Sequence, residues 1–132
     1  MRAQDTASIV VPDVKTVTDD RLIEMDYGPY EGMTLQNSAP EVLHFFKDFV
    51  HNEAPEGMEP LSSVVKRAGE FIEEIKDLKG NILISTHAIL MKGILEYLTP
   101  SFHGSYWSKY IGNCAIYAAD NEDGIVGIPG EI

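Results

Sequence analysis

Asn81-Ile82-Leu83-Ile84-Ser85-Thr86-His87-Ala88-Ile89-Leu90-Met91-Lys92 is the stretch whose reading decides the fold. Its first seven residues form a short, continuous apolar run, the pattern of a strand buried on both faces in a parallel sheet. The residues from Ile89 to Leu98 then repeat with helical spacing and stop at Thr99-Pro100, where proline forbids continuation. Strand, loop and helix in that order predict an α/β fold, with a mainly parallel sheet flanked by helices. His87 would stand at the carboxyl end of its strand, where open α/β sheets bind their ligands.

Working outward, Val64, Val65, Ala68, Phe71, Ile72, Ile75 and Leu78 mark one side of an amphipathic helix that Lys79-Gly80 closes. The stretch Asn52 to Pro60 has loop chemistry. Before it, Ser38-Ala39-Pro40 reads as a helix entry, with Val42, Leu43, Phe45, Phe46, Phe49 and Val50 following at helical spacing. His44 and His51 fall on the other faces of that helix and are read as solvated. Residues 3 to 11 predict a short helix ending at Pro12, and Lys15 to Glu24 a short strand ending beside Glu24. Asn113 to Ala119, the turn Asn121-Glu122-Asp123-Gly124, and Ile125 to Ile128 predict a terminal hairpin.

The 132 residues suit one domain, 1–132, and contain no internal repeat or linker. A net charge of −11 repels a nucleic-acid backbone, so nucleic acid is excluded as an expected partner. No apolar run approaches the length of a membrane span. Cys114 is the only cysteine; its apolar, strand-like setting predicts a buried, inert thiol, and a cytoplasmic location is expected. The dispersed histidines offer no closely spaced metal-ligand pair, and no dinucleotide fingerprint or glycine-rich phosphate loop occurs.

Arg2, Glu24, Glu31 and His87 are the polar residues placed where strands should hand over to loops. Arginine presents a planar fork of donors to phosphate oxygens, histidine can donate to or accept a phosphoryl group, and a carboxyl group can protonate a departing alkoxide. The set suits phosphoryl transfer. Each residue also has an ordinary reading: a frayed terminus for Arg2, a surface turn for Glu31, a satisfied buried histidine for His87.

In combined order these segments resemble the histidine phosphatase superfamily, also called phosphoglycerate mutase-like. Arg2-Ala3-x-x-Thr6-Ala7 is similar to that family's Arg-Ala-x-x-Thr-Ala motif, and Leu22-x-Glu24-x-x-x-Gly28-x-x-Glu31-Gly32-x-Thr34 to its acidic segment. Pro55-x-Gly57-x-Glu59 with Arg67, the Ile84-Ser85-Thr86-His87 strand and Asn113-Cys114-Ala115-Ile116 resemble its later landmarks. The resemblance implies that Arg2 binds the phosphoryl group, Glu24 is the proton donor and His87 the second site histidine, with Asn113 also on the substrate-binding side. It implies a supporting role for Glu31. A phosphorylated small molecule or inorganic phosphate is the implied ligand, and neither metal nor cofactor is implied.

Three departures qualify the resemblance. The family's Arg-His-Gly motif, which carries the phosphorylated histidine on the first strand, is absent, and no Arg-His pair occurs in these residues. Ala88 replaces a glycine, and Lys92 stands where an arginine is usual. Without the nucleophilic histidine the double-displacement route is closed, so the chain is expected to be inactive or impaired. The alternative is a catalytically silent phosphate-ligand binding or interaction module. Met1-Arg2-Ala3-Gln4-Asp5-Thr6-Ala7 reads like the middle of a protein, so an N-terminal truncation is expected. The sheet would then close over the gap or pair with another chain, with a homodimer through sheet edges or swapping favoured.

Overall fold

The computed structural model describes residues 1–34 and 36–132. Its helices are α1 (Arg2–Val10), α2 (Pro40–Lys47), α3 (Leu61–Ile75) and α4 (Ala88–Leu98), joined in part by 3₁₀ turns at Asp20–Leu22, Gly28–Tyr30 and Pro100–Phe102. Four two-residue strands follow: β1 (Tyr117–Ala118), β2 (Asn121–Glu122), β3 (Ile125–Val126) and β4 (Gly130–Glu131). Pro40 opens α2 in the first turn, where its missing N–H costs nothing.

The core forms where α3 lies on α4. Val64, Ala68, Phe71 and Ile72 share one buried stripe of α3, and α4 answers with Ile89, Leu90, Ile94 and Leu95. Small residues set the closeness of the crossing. A Cβ on Gly93 would come within 2.9 Å of Val64 Cγ1, and one on Gly69 within 2.5 Å of the Tyr97 ring. Phe45 of α2 is fully buried, and its ring meets those of Phe46 and Phe49 edge-on at centroid distances of 5.6 and 4.8 Å. Trp107 closes this aromatic group at 6.3 Å from Phe49.

The helical expectations are met for α1, α3 and α4, with ends differing by a few residues. Helix α2 stops at Lys47, because the Asp48 carboxylate accepts the N–H groups of Val50 and His51 and folds the chain into a turn.

The parallel sheet is not found among the described residues, whose strands form only two antiparallel two-stranded ladders, β1 with β4 and β2 with β3. Residues 81–87 are not a strand. A ladder needs a neighbour, and residues 82–86 make no backbone–backbone hydrogen bond within the described residues. Ile82 and Leu83 are accordingly 42% and 55% exposed. The strand expected before Glu24 is likewise replaced by the Asp20–Leu22 turn. There the Asp19 carboxylate accepts from the backbone N–H and guanidinium of Arg21, a local bond that competes with pairing.

The expected pairing of Asn113–Ala119 with Ile125–Ile128 is not found among the described residues: the hairpin joins β2, inside the expected turn, to β3. Asn121 faces Val126 and Glu122 faces Ile125, so Asp123-Gly124 is a two-residue loop, both residues at positive φ (51° and 83°). That is the conformation favoured by Asp-Gly in tight hairpins. Tyr117 pairs with Glu131 farther out. Cys114 departs from expectation: it is exposed, at φ 61°, in the turn before β1. No helix is long and apolar enough to cross a membrane among the described residues.

Candidate functional site

The Glu24 carboxylate reaches the start of α4, whose N-cap residue is His87, 63 positions away in sequence. His87 is the N-cap residue, extended at φ −112° and ψ 166°, and its carbonyl accepts from Met91 at 2.8 Å. A helix leaves its first N–H groups unpaired, and here a carboxylate from elsewhere in the chain takes them. Glu24 Oε2 accepts from Ile89 N–H at 3.1 Å and Oε1 from Leu90 N–H at 3.0 Å, with Met25 N–H also donating to Oε1. Negative charge at this end also complements the helix dipole. The donors hold both carboxylate oxygens of Glu24 in place two and three residues beyond His87.

Two hydroxyls draw other parts of the chain to the same place. Thr86 Oγ1 donates to the Leu22 carbonyl at 2.7 Å, docking the segment before His87 onto the segment before Glu24. Ser85 Oγ donates to the Ala3 carbonyl at 2.7 Å, which brings the first turn of α1 alongside. Arg2 begins that turn and is exposed, its carbonyl accepting from Thr6 Oγ1. Arg2, Glu24 and His87 therefore belong to segments tied directly together. Asn113 is exposed in the turn before β1, and no hydrogen bond joins it to the other three among the described residues.

A second tier fixes Glu24. Arg67 of α3 forks onto Glu59, Nε to Oε1 at 2.7 Å and Nη2 to Oε2 at 3.1 Å. Its Nη1 donates to the carbonyls of Arg21 and Ile23, at 2.8 and 2.6 Å, on the run leading into Glu24. Glu59 Oε2 accepts from Asp26 N–H, and Glu59 N–H donates to the Asp26 carbonyl. Burial alone would raise the Glu59 pKa, but the Arg67 bond, the Asp26 N–H and the Arg67 charge outweigh it and hold it below the ordinary value.

The following turn is equally constrained. Gly28 sits at φ +56°, and a Cβ there would lie 1.9 Å from the Gly57 carbonyl oxygen, so the two loops touch only because both carry glycine. Glu31 Oε1 accepts from Tyr27 N–H at 3.0 Å, a bond that closes the turn. The Tyr27 phenol is pushed up to about 12, first by burial and then by the charges of Glu24 and Glu31. It stays protonated at neutral pH, a donor beside two carboxylates.

A family model of the histidine phosphatase superfamily (branch 1) matches residues 1–126. The chain belongs to the histidine phosphatase superfamily. Within it, similarity extends to phosphoserine phosphatase 1 of Hydrogenobacter thermophilus, 26% identical over 100 residues that cover 72% of this chain and 47% of that protein. A probable 6-phosphofructo-2-kinase of Schizosaccharomyces pombe is 29% identical over 102 residues, 73% of this chain and 17% of that protein. The chain thus matches about half of the first relative and a smaller part of the second. Membership gives the α/β class.

Glu24 and His87 stand out in the sequence by residue type and order, whereas the helix cap that joins their segments and the hydroxyl contacts of Ser85 and Thr86 do not. A carboxylate that caps a distant helix leaves no local spacing to read. Ser-Thr directly before a histidine was the available signal.

Proposed function

We propose that this chain is a phosphomonoester-binding unit of histidine phosphatase type, in which Arg2, Glu24 and His87 form one site and Asn113 contributes from the substrate side. The observation that carries the reading is the reach of the Glu24 carboxylate to the start of α4, whose N-cap residue is His87, with α1 tied alongside through Ser85. In that arrangement the Arg2 guanidinium and His87 imidazole offer N–H donors to phosphoryl oxygens, and Glu24 offers a carboxyl group for the leaving oxygen. The ligand class is a phosphorylated small molecule or inorganic phosphate.

Turnover needs a nucleophile as well. The other three histidines do not join the Glu24 cluster: His44 and His103 are exposed, and His51 is paired with Asp48 at 2.7 Å. We therefore read these 132 residues as binding phosphate esters without hydrolysing them, which makes the silent binding module the form in which the family chemistry survives here. Calorimetry with inorganic phosphate, alongside a p-nitrophenyl phosphate assay, tests this. A saturable component that weakens at least tenfold in His87→Ala and Arg2→Ala, with no turnover, is the expected result. Turnover abolished by His87→Ala would overturn the silent reading. Absence of binding would overturn the site.

A further inference from the structure

Lys92 is an unusual residue in so acidic a chain. It lies on α4 with its residue surface 9% exposed, and no carboxylate stands within ion-pair distance of its ammonium among the described residues. An ammonium has three donors. Its recorded partners are the Trp107 carbonyl, at 3.3 Å, and the face of Phe49, with Nζ 5.2 Å from the ring centroid. The nearest carboxylate in sequence on that helix face, Glu96, is fully engaged elsewhere: it accepts the backbone N–H groups of Gly104, Tyr106 and Trp107 at 2.9 to 3.1 Å. A buried charge is stable only when paired or hydrogen-bonded. Desolvation lowers the Lys92 pKa, in keeping with that deficit.

Lys92 also lines an open cleft of about 670 Å³ between the end of α2 and the loop from His103 to Tyr110. The charge of its lining runs against the rest of the chain. Lys47, Lys92, Lys109, His51 and His103 face one carboxylate, Asp48, in a protein of net charge −11. Asp48 is already committed to His51, and Lys109 to Glu131 at 3.0 Å. Lys47 and His103, by contrast, make no ion pair among the described residues. Ser105 and Ser108 add hydroxyls to the same wall, and Phe49 and Trp107 add apolar surface.

We propose that this cleft is a second anion site, separate from Glu24 and His87, which seats the phosphate-sized oxyanion of a small molecule on Lys92 with Lys47 and His103 at the rim. The oxyanion takes the ammonium donors that the protein leaves unused and supplies the missing counter-charge. The proposal does not depend on the activity proposed above. It uses no residue of that site.

Trp107 is the sole tryptophan of the chain and lines the cleft, so its fluorescence reports on this location. Inorganic phosphate is titrated at constant ionic strength against wild type, Lys92→Met, the exposed-rim double variant Lys47→Ala/His103→Ala, and His87→Ala. The expected result is a saturable Trp107 response whose midpoint rises at least tenfold in Lys92→Met and about threefold in the rim variant, and is unchanged in His87→Ala. Acetate should give a weaker response than phosphate. If Lys92→Met fails to fold, the rim variant alone decides. A response equal in wild type and rim variant, a non-saturating response, or one lost in His87→Ala overturns the proposal.

Discussion

Replacing Arg67 by methionine should loosen the frame behind Glu24. The guanidinium makes a two-point contact with Glu59 and donates to the carbonyls of Arg21 and Ile23, and methionine keeps the apolar stem while removing every donor. Removing one partner of a buried pair costs about 3–5 kcal/mol. The Arg67 and Glu59 side chains retain 19% and 13% exposure, which lets water reach the stranded carboxylate and favours the lower end, about 3 kcal/mol. That is a large share of the ~5–15 kcal/mol available to a domain, and with a urea m-value near ~1.5 kcal/mol/M it moves the midpoint down by about 2 M. Equilibrium urea unfolding followed by circular dichroism measures it. Pairing the change with Glu59→Met should recover at least ~1 kcal/mol relative to the sum of the single variants, because the stranded charge is gone. A loss under ~1 kcal/mol in Arg67→Met, or strictly additive singles, would refute the reasoning.

Other expectations can be checked on the same preparation. Gly28→Ala should destabilise by at least ~2 kcal/mol, since alanine is strained at φ +56° and its Cβ would overlap the Gly57 carbonyl; a change under ~0.5 kcal/mol in thermal unfolding would contradict this contact. The folded-state pKa of Glu59 lies below its unfolded value, so its contribution is present above the unfolded value of ~4.3 and is lost as pH falls through the folded value. Acid titration of wild type should therefore lose more stability below pH ~4.5 than the same titration of Glu59→Gln, and parallel curves would count against it. The run from Ile82 to Thr86, without backbone pairing among the described residues and with Ile82 and Leu83 exposed, should support pairing with a second copy, so light scattering should give a dimer that Leu83→Lys converts to monomer. A monomer at all concentrations would refute that expectation.

The helices were legible in the sequence because their signals are local. Proline at 40 and 100, glycine at 80 and the apolar stripe from Val64 to Ile72 bound or orient their own neighbourhoods. Residues 81–87 were not, because an apolar run states a preference for pairing without supplying the partner, and the described chain offers no strand beside it. Cys114 was misplaced for a related reason. Its apolar neighbours suggest a strand, but a left-handed residue at that position turns the chain outward before β1 begins. Glu24 and His87 could be singled out by chemistry and order, whereas the joining of their segments depends on tertiary hydrogen bonds between residues more than 60 positions apart. The cleft around Lys92 was legible only as a lysine in a largely apolar helix that carries one other charged residue, Glu96.

The most direct measurement is a residue-resolved NMR titration with inorganic phosphate that follows the His87 imidazole, the Arg2 guanidinium and the amides from His87 to Leu90. Saturable shifts at all three, sharing one midpoint and lost in His87→Ala while the cleft residues still respond, are the predicted result. Shifts confined to the Lys92 cleft, or none at His87 and Arg2 at saturating phosphate, would contradict a phosphoryl site at the start of α4.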